Sequence, residues 1–153
     1  MTSIQAGIAV RFWLWAVLLR PLKHVLPFET LVRLMRTSRR GPERRPAVVD
    51  AVKSYMNATG RFPFRPPSNC LERSLGAYRL LAGAGASPML VIGVRRSPEG
   101  GIDGHVWVML DGTPFGESVD GLSAYTPLVT FDVEGRQTHP AGAPMTLAGV
   151  RFS

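Results

Sequence analysis

Cys70 is the only cysteine among 153 residues, and His105 follows it by 35 positions. A thiol and an imidazole are the pair that nucleophilic acyl transfer needs: the imidazole takes the thiol proton, sulfur attacks a carbonyl, and the proton passes on to the leaving group. Such an imidazole is normally oriented by a third, acidic group, and Glu117 and Asp120 both follow His105 at short range. One cysteine excludes an internal disulfide and a multi-thiolate zinc site, and the three histidines stand in unrelated contexts without metal-ligand spacing. No metal and no cofactor is expected. Taken alone, a single cysteine is more often a small buried hydrophobe than a nucleophile, and a strand histidine often satisfies only a local hydrogen bond. The elements around the pair therefore decide.

Asn69, followed three residues later by Glu72, reads as a helix N-cap with a reciprocal acid, which puts Cys70 in the first turn. There the unpaired backbone N–H groups and the positive end of the helix dipole favour an anion, the form in which a thiol attacks. The same amides can hold the oxyanion of a tetrahedral intermediate. Leu71, Leu75, Tyr78 and Leu81 make the inward stripe, and Gly83 with Gly85 ends the helix. Met89 to Val94 is an apolar run of buried-strand type, and 97–101 is a turn. Residues 105–110 alternate, with Val106, Val108 and Leu110 on a core face and His105, Trp107 and Met109 on the other. Trp107 would wall water away from His105.

Asp111-Gly112 signals a hairpin turn, and the next strand is expected from Thr113 to about Ser118. The turn decides which acid faces the imidazole. With a two-residue turn, even-numbered residues such as Asp120 share the face of His105; with a three-residue bulged loop, Glu117 does. Pro114 and Gly116 are compatible with an irregular strand, so both acids stay open.

The formal charge of +7 lies wholly in residues 1–45, where nine basic side chains meet only Glu29 and Glu43; the remainder balances. That third suits an acidic partner, membrane phosphates or nucleic acid, or is simply a solvated basic face. Residues 12–19 are apolar between Arg11 and Arg20, short of the roughly 20 needed to span a bilayer, and no small-residue cleavage pattern marks a signal peptide. Trp13 and Trp15 permit an interfacial helix, though packing on the core or on a partner is favoured over membrane contact. A second helix is expected over 28–36, a hinge at Gly41-Pro42, and a third helix from Pro46 that Gly60 closes. Pro63, Pro66 and Pro67 then impose an extended approach to Cys70.

The run Asn69-Cys70-Leu71-Glu72-Arg73-Ser74-Leu75 with Tyr78-Arg79-Leu80-Leu81, then Val91-Ile92-Gly93-Val94-Arg95-Arg96, then His105-Val106-Trp107-Val108 with Asp111-Gly112, resembles a known family. It is similar to the leader peptidases of bacterial lasso-peptide pathways, small cysteine proteases of the transglutaminase-like superfamily, over roughly residues 60–133. The resemblance implies an α+β fold: a transglutaminase-like or papain-like core in which a cysteine-bearing helix packs on a small antiparallel sheet, after N-terminal helices. The chain divides accordingly into a basic, hydrophobic helical segment (1–45), the peptidase core (46–133) and a C-terminal tail (134–153).

The implied activity is removal of the leader from a ribosomally made precursor by a Cys-His-acid triad through a thioester. Cys70 and His105 match the nucleophile and base, and Asn69 and Trp107 fall at the oxyanion region and site wall. The third member is usually aspartate; the matching position, twelve after the histidine, is Glu117, with Asp120 the alternative. The residue after the histidine is commonly alanine and is Val106 here. Implied partners are the precursor peptide, a separate leader-binding protein and an ATP-dependent cyclase, in a cytoplasmic setting. The competing readings are an acyl transferase of the same superfamily and a non-catalytic peptide-binding module. A nucleic-acid binder ranks last, since no aromatic-basic interleaving accompanies the charge.

Overall fold

A computed structural model describes residues 2–37, 43–58, 69–140 and 150–152. The expected hinge at Gly41-Pro42, the stop at Gly60 and the extended approach over 61–68 lie outside the described residues.

Helix α1 (Ser3–Val25) starts on a capping box: Thr2 Oγ1 accepts from the Gln5 amide at 3.3 Å and Gln5 Oε1 accepts from the Thr2 amide at 2.9 Å. It runs past the apolar segment and through Pro21, because one missing N–H is tolerated when the helix is anchored on both sides of it. Ile8, Phe12, Ala16 and Leu19 form its buried face. Among the described residues no helix is long and apolar enough to cross a membrane. Helix α2 (Phe28–Met35) buries Leu31, Val32 and Met35, and α3 (Pro46–Asn57) begins with its proline in the first turn and buries Val49, Val52, Tyr55 and Met56.

Helix α4 (Cys70–Gly83) is the centre of the helical layer and buries eleven of its 14 residues. Phe12 of α1 stacks on Tyr55 of α3 with ring centroids 4.2 Å apart and lies over Gly76 of α4, where a Cβ would sit 3.0 Å from its ring. The bare backbone at Gly76 therefore sets how closely α1 and α4 approach. Fully buried side chains such as Leu19, Leu31, Leu75 and Leu81 each stabilise the packed layer by about 1.5–3 kcal/mol relative to exposure.

The helices cover one face of a six-stranded sheet of order β3-β2-β1-β4-β5: β1 (Met89–Arg96), β2 (Ile102–Leu110), β3 (Thr113–Pro114), β4 (Thr126–Phe131) and β5 (Gln137–Thr138). A sixth strand, β6 (Val150–Phe152), pairs parallel to β2 at Ile102–Gly104. Residues expected to form only a tail thus supply two strands. Between β3 and β4 lies one short helical turn, α5 (Val119–Leu122). The faces of β2 are as its alternation requires: Val106, Val108 and Leu110 join the core under the helices, while Trp107 packs with Val91 and Leu122 on the opposite face. The architecture is α+β, helices on a small, largely antiparallel sheet.

Glu72 departs from its expected role. Asn69 Oδ1 accepts from the Glu72 amide at 3.2 Å, but the Glu72 carboxylate turns inward to Lys23 of α1, with Nζ 2.7 Å from Oε1. The Glu72 side chain is 1 % exposed, and its Oε2 has no hydrogen-bond partner among the described residues. A buried carboxylate with a single counter-charge depends heavily on that charge. Lys23→Ala is expected to destabilise the protein toward the lower end of the roughly 3–5 kcal/mol typical of a broken buried pair, because Lys23 retains some solvent contact. Urea denaturation checks this; an unchanged midpoint would mean that Glu72 finds another partner.

Candidate active site

Three elements bring the site together. The first turn of α4 carries Cys70, which is buried, and the middle of β2 carries His105. On its outer edge β2 pairs with β6 at Ile102–Gly104 and with β3 at Met109–Leu110. In the gap between them α4 is tied on: Ser74, one turn after Cys70, donates its hydroxyl to the Val106 carbonyl at 2.8 Å in a buried bond. That bond fixes the nucleophile's helix to the residue beside the histidine.

The acid comes from the irregular stretch after the hairpin. Asp111 (φ 52°) and Gly112 (φ 78°) make the two-residue turn, and Leu110 pairs with Thr113. Parity counting along a continuing strand would then select Asp120. The strand stops at Pro114 instead, and Gly116 takes a φ of +74°, which swings the chain back toward β2. Glu117, not Asp120, meets the imidazole: its Oε2 lies 2.6 Å from His105 Nε2. Asp120 is exposed in α5.

Gly116 has a second constraint, since a Cβ there would lie 2.7 Å from Met56 Cβ of α3. Gly116→Ala therefore combines left-handed strain of about 1–2 kcal/mol with overpacking of about 1–3 kcal/mol. The expected outcome is a lower melting temperature together with loss of turnover, as Glu117 is carried away from His105. Wild-type activity in a folded Gly116→Ala protein would contradict the positioning role of this turn.

With Nε2 occupied by Glu117, Nδ1 is the ring nitrogen left to face the Cys70 side chain. Burial alone would lower the histidine's pKa. Hydrogen bonds to Cys70 and Glu117 and the negative charge of both outweigh it, and the value is raised to about 9. His105 thus holds a proton through neutral pH. Its ring stacks near Trp107 (centroids 6.0 Å apart) and Tyr125 (5.1 Å), and Gly93 on the neighbouring strand makes room for the indole: a Cβ there would lie 2.7 Å from its edge.

Sequence reasoning did not anticipate Arg73. One turn after Cys70 on α4, its Nη2 donates to Glu117 Oε1 at 3.2 Å, so the acid is gripped between the nucleophile's own helix and the imidazole. Only the i+3 spacing from Cys70 hinted at this. Asn69 serves as the N-cap through its side-chain oxygen, and its carbonyl accepts from the Arg73 amide. The Cys70 and Leu71 amides are then the first-turn donors suited to an oxyanion. Trp107 is buried against Val91 and Leu122 and forms the wall beside His105. Among the described residues no cluster of His, Cys, Asp and Glu could hold a metal ion.

A thiol on a helix N-terminus, an imidazole on the adjoining strand and a carboxylate behind it agree with a match along the sequence: the model of the transglutaminase-like superfamily covers residues 13–130. The chain belongs to the transglutaminase-like superfamily. No curated protein and no solved structure matches it. The transglutaminase-like fold commonly carries cysteine peptidases or acyltransferases, two outcomes of one thioester chemistry. In this transglutaminase-like domain the matched region begins inside α1, whose Phe12, Leu19 and Lys23 contacts tie it to the helix that bears Cys70.

Proposed function

We propose that the protein is a cysteine peptidase that removes the leader from a ribosomally synthesised lasso-peptide precursor. The observation that carries the catalytic part is the 2.6 Å contact of His105 Nε2 with Glu117, together with the pull of Cys70 on the imidazole's proton. The choice of substrate rests on the sequence resemblance around Cys70, Val91–Arg96 and His105.

In the proposed mechanism the Cys70 sulfur, its proton already passed to His105, attacks the scissile carbonyl while the Cys70 and Leu71 amides receive the oxyanion. His105 delivers its proton to the leaving amine, the C–N bond breaks, and the leader stays on sulfur as a thioester. Water, giving a proton to His105, then attacks the thioester; the leader leaves as a carboxylic acid and the thiolate is restored beside the protonated His105. Glu117 keeps the imidazole turned so that Nδ1 faces sulfur. The freed α-amine of the core peptide is the group an ATP-dependent cyclase would join to a side-chain carboxylate, and a separate leader-binding protein would present the precursor. The reaction is proposed to occur in the cytoplasm.

Mass spectrometry of a precursor peptide incubated with this protein and its leader-binding partner, beside a Cys70→Ala control, tests the reading. A single cleavage that gains one water and is lost in the control is expected. Transfer of the acyl group to an added amine without hydrolysis would move the protein to the acyltransferases. An intact peptide with an inert Cys70 would favour a peptide-binding module.

A further inference from the structure

The positive charge concentrated in the first third of the chain has a structural focus away from the catalytic groups. A cavity of about 350 Å³ lies between α1, the start of α3 and the last turn of α4. Arg11, Arg45 and Arg79 line it beside Trp15, and among the described residues that line it none is acidic. The Arg79 guanidinium is held in place: it stacks over the Trp15 ring, 4.5 Å from its centroid, and its Nη1 donates to the carbonyls of Leu34 (3.2 Å) and Arg36 (3.4 Å). These partners are neutral and leave the charge uncancelled. Burial pushes the guanidinium below its usual pKa range, a sign of its partial desolvation.

Three like charges around one cavity repel one another, and an anion seated among them removes that cost. A planar guanidinium already fixed by stacking can grip a carboxylate through two parallel N–H groups with little further loss of entropy. We propose that this cavity is an exosite for the acidic side chains of a peptide. Helix α4 has 14 residues, so its last turn lies roughly 20 Å along the axis from Cys70. An extended chain covers that distance in about six residues, which separates the exosite from the scissile bond by at least this length. The proposal rests on the peptide-substrate reading for its choice of a peptide over a free anion. The acidic segment belongs to the precursor, whose own chain can span the distance from this cavity to Cys70.

The test uses full-length Cys70→Ala protein, so that cleavage plays no part, and titrates hexaglutamate by calorimetry at low salt against hexaglutamine. Arg11→Glu with Arg45→Glu is compared with a charge-matched pair outside the cavity, Arg33→Glu with Arg96→Glu, both exposed positions. The cavity pair is expected to weaken hexaglutamate binding at least about tenfold, and the control pair by no more than about threefold. Equal weakening by both pairs, or hexaglutamate binding no tighter than hexaglutamine, would overturn the exosite. Tripolyphosphate that binds more tightly and displaces hexaglutamate would overturn the peptide assignment in favour of a phosphate ligand. With active protein, a raised KM at unchanged kcat in the cavity pair without the leader-binding protein is expected; the same effect only in its presence would overturn the assignment of the acidic segment to the precursor. Hexaglutamate binding without any precursor cleavage would defeat the peptidase reading and leave the exosite standing.

Discussion

Cys70→Ala is expected to abolish peptide cleavage, a drop of at least about 10⁴-fold in kcat, while the domain stays folded. The side chain is buried at the start of α4, and loss of one sulfur from that position costs only on the order of 1 kcal/mol of packing. The elements that position the site do not depend on it: Ser74 still ties α4 to Val106, and Glu117 still holds His105. One further change should appear in the variant. His105 loses the hydrogen bond and the charge of Cys70, two of the influences that raise it, and should titrate below about 9. Histidine NMR titration with circular dichroism separates this from unfolding. Residual cleavage at the wild-type rate would remove Cys70 from the mechanism.

Glu117→Gln is the second large effect, with an expected loss of about 10²–10⁴-fold. The amide fits the space but carries no charge, and it leaves Arg73 without a carboxylate to grip. It also changes how stability responds to pH. In the wild type the folded-state pKa of His105, about 9, exceeds the ordinary 6.5, so the folded protein binds the extra proton between these values. The stability this provides is complete below pH 6.5 and is lost as pH rises through 9. In Glu117→Gln the window narrows from its upper end, because Glu117 supplies both a hydrogen bond and a charge to the imidazolium. The alkaline limb of kcat should move down with it, as a property of the coupled Cys70-His105 pair rather than of one group. Urea midpoints and rate profiles from pH 6 to 10 check both; a wild-type alkaline limb in Glu117→Gln would contradict the role given to the carboxylate.

Local signals made part of this site legible in the sequence. The Asn69 cap, the alternation from His105 to Leu110 and the Asp-Gly turn each depend on neighbours within a few residues, and each forms as read. The acid was not fixed that way. Parity along a strand favours Asp120 for a two-residue turn, and the turn does have two residues; but pairing ends at Pro114, and Gly116 reverses the chain beside Met56, a residue 60 positions earlier. Glu72 was misassigned for a related reason: a local capping partner lost to Lys23, 49 residues away, once α1 packed on α4. The β6 strand pairs alongside β2 where Gly104 has no side chain to meet those of Val150 and Phe152, a fact without any local pattern. Arg73 and Ser74 look like ordinary polar positions on a helix until the Glu117 carboxylate and the Val106 carbonyl they meet are known.

The central claim is that His105 activates the thiol of Cys70, and the rate of Cys70 alkylation by iodoacetamide, followed by intact mass from pH 5 to 10, tests it most directly. The account predicts a native protein that reacts readily at neutral pH and is slowed at least about tenfold by His105→Ala. A Cys70 that reacts only after unfolding in urea, or equally fast with and without His105, would contradict it.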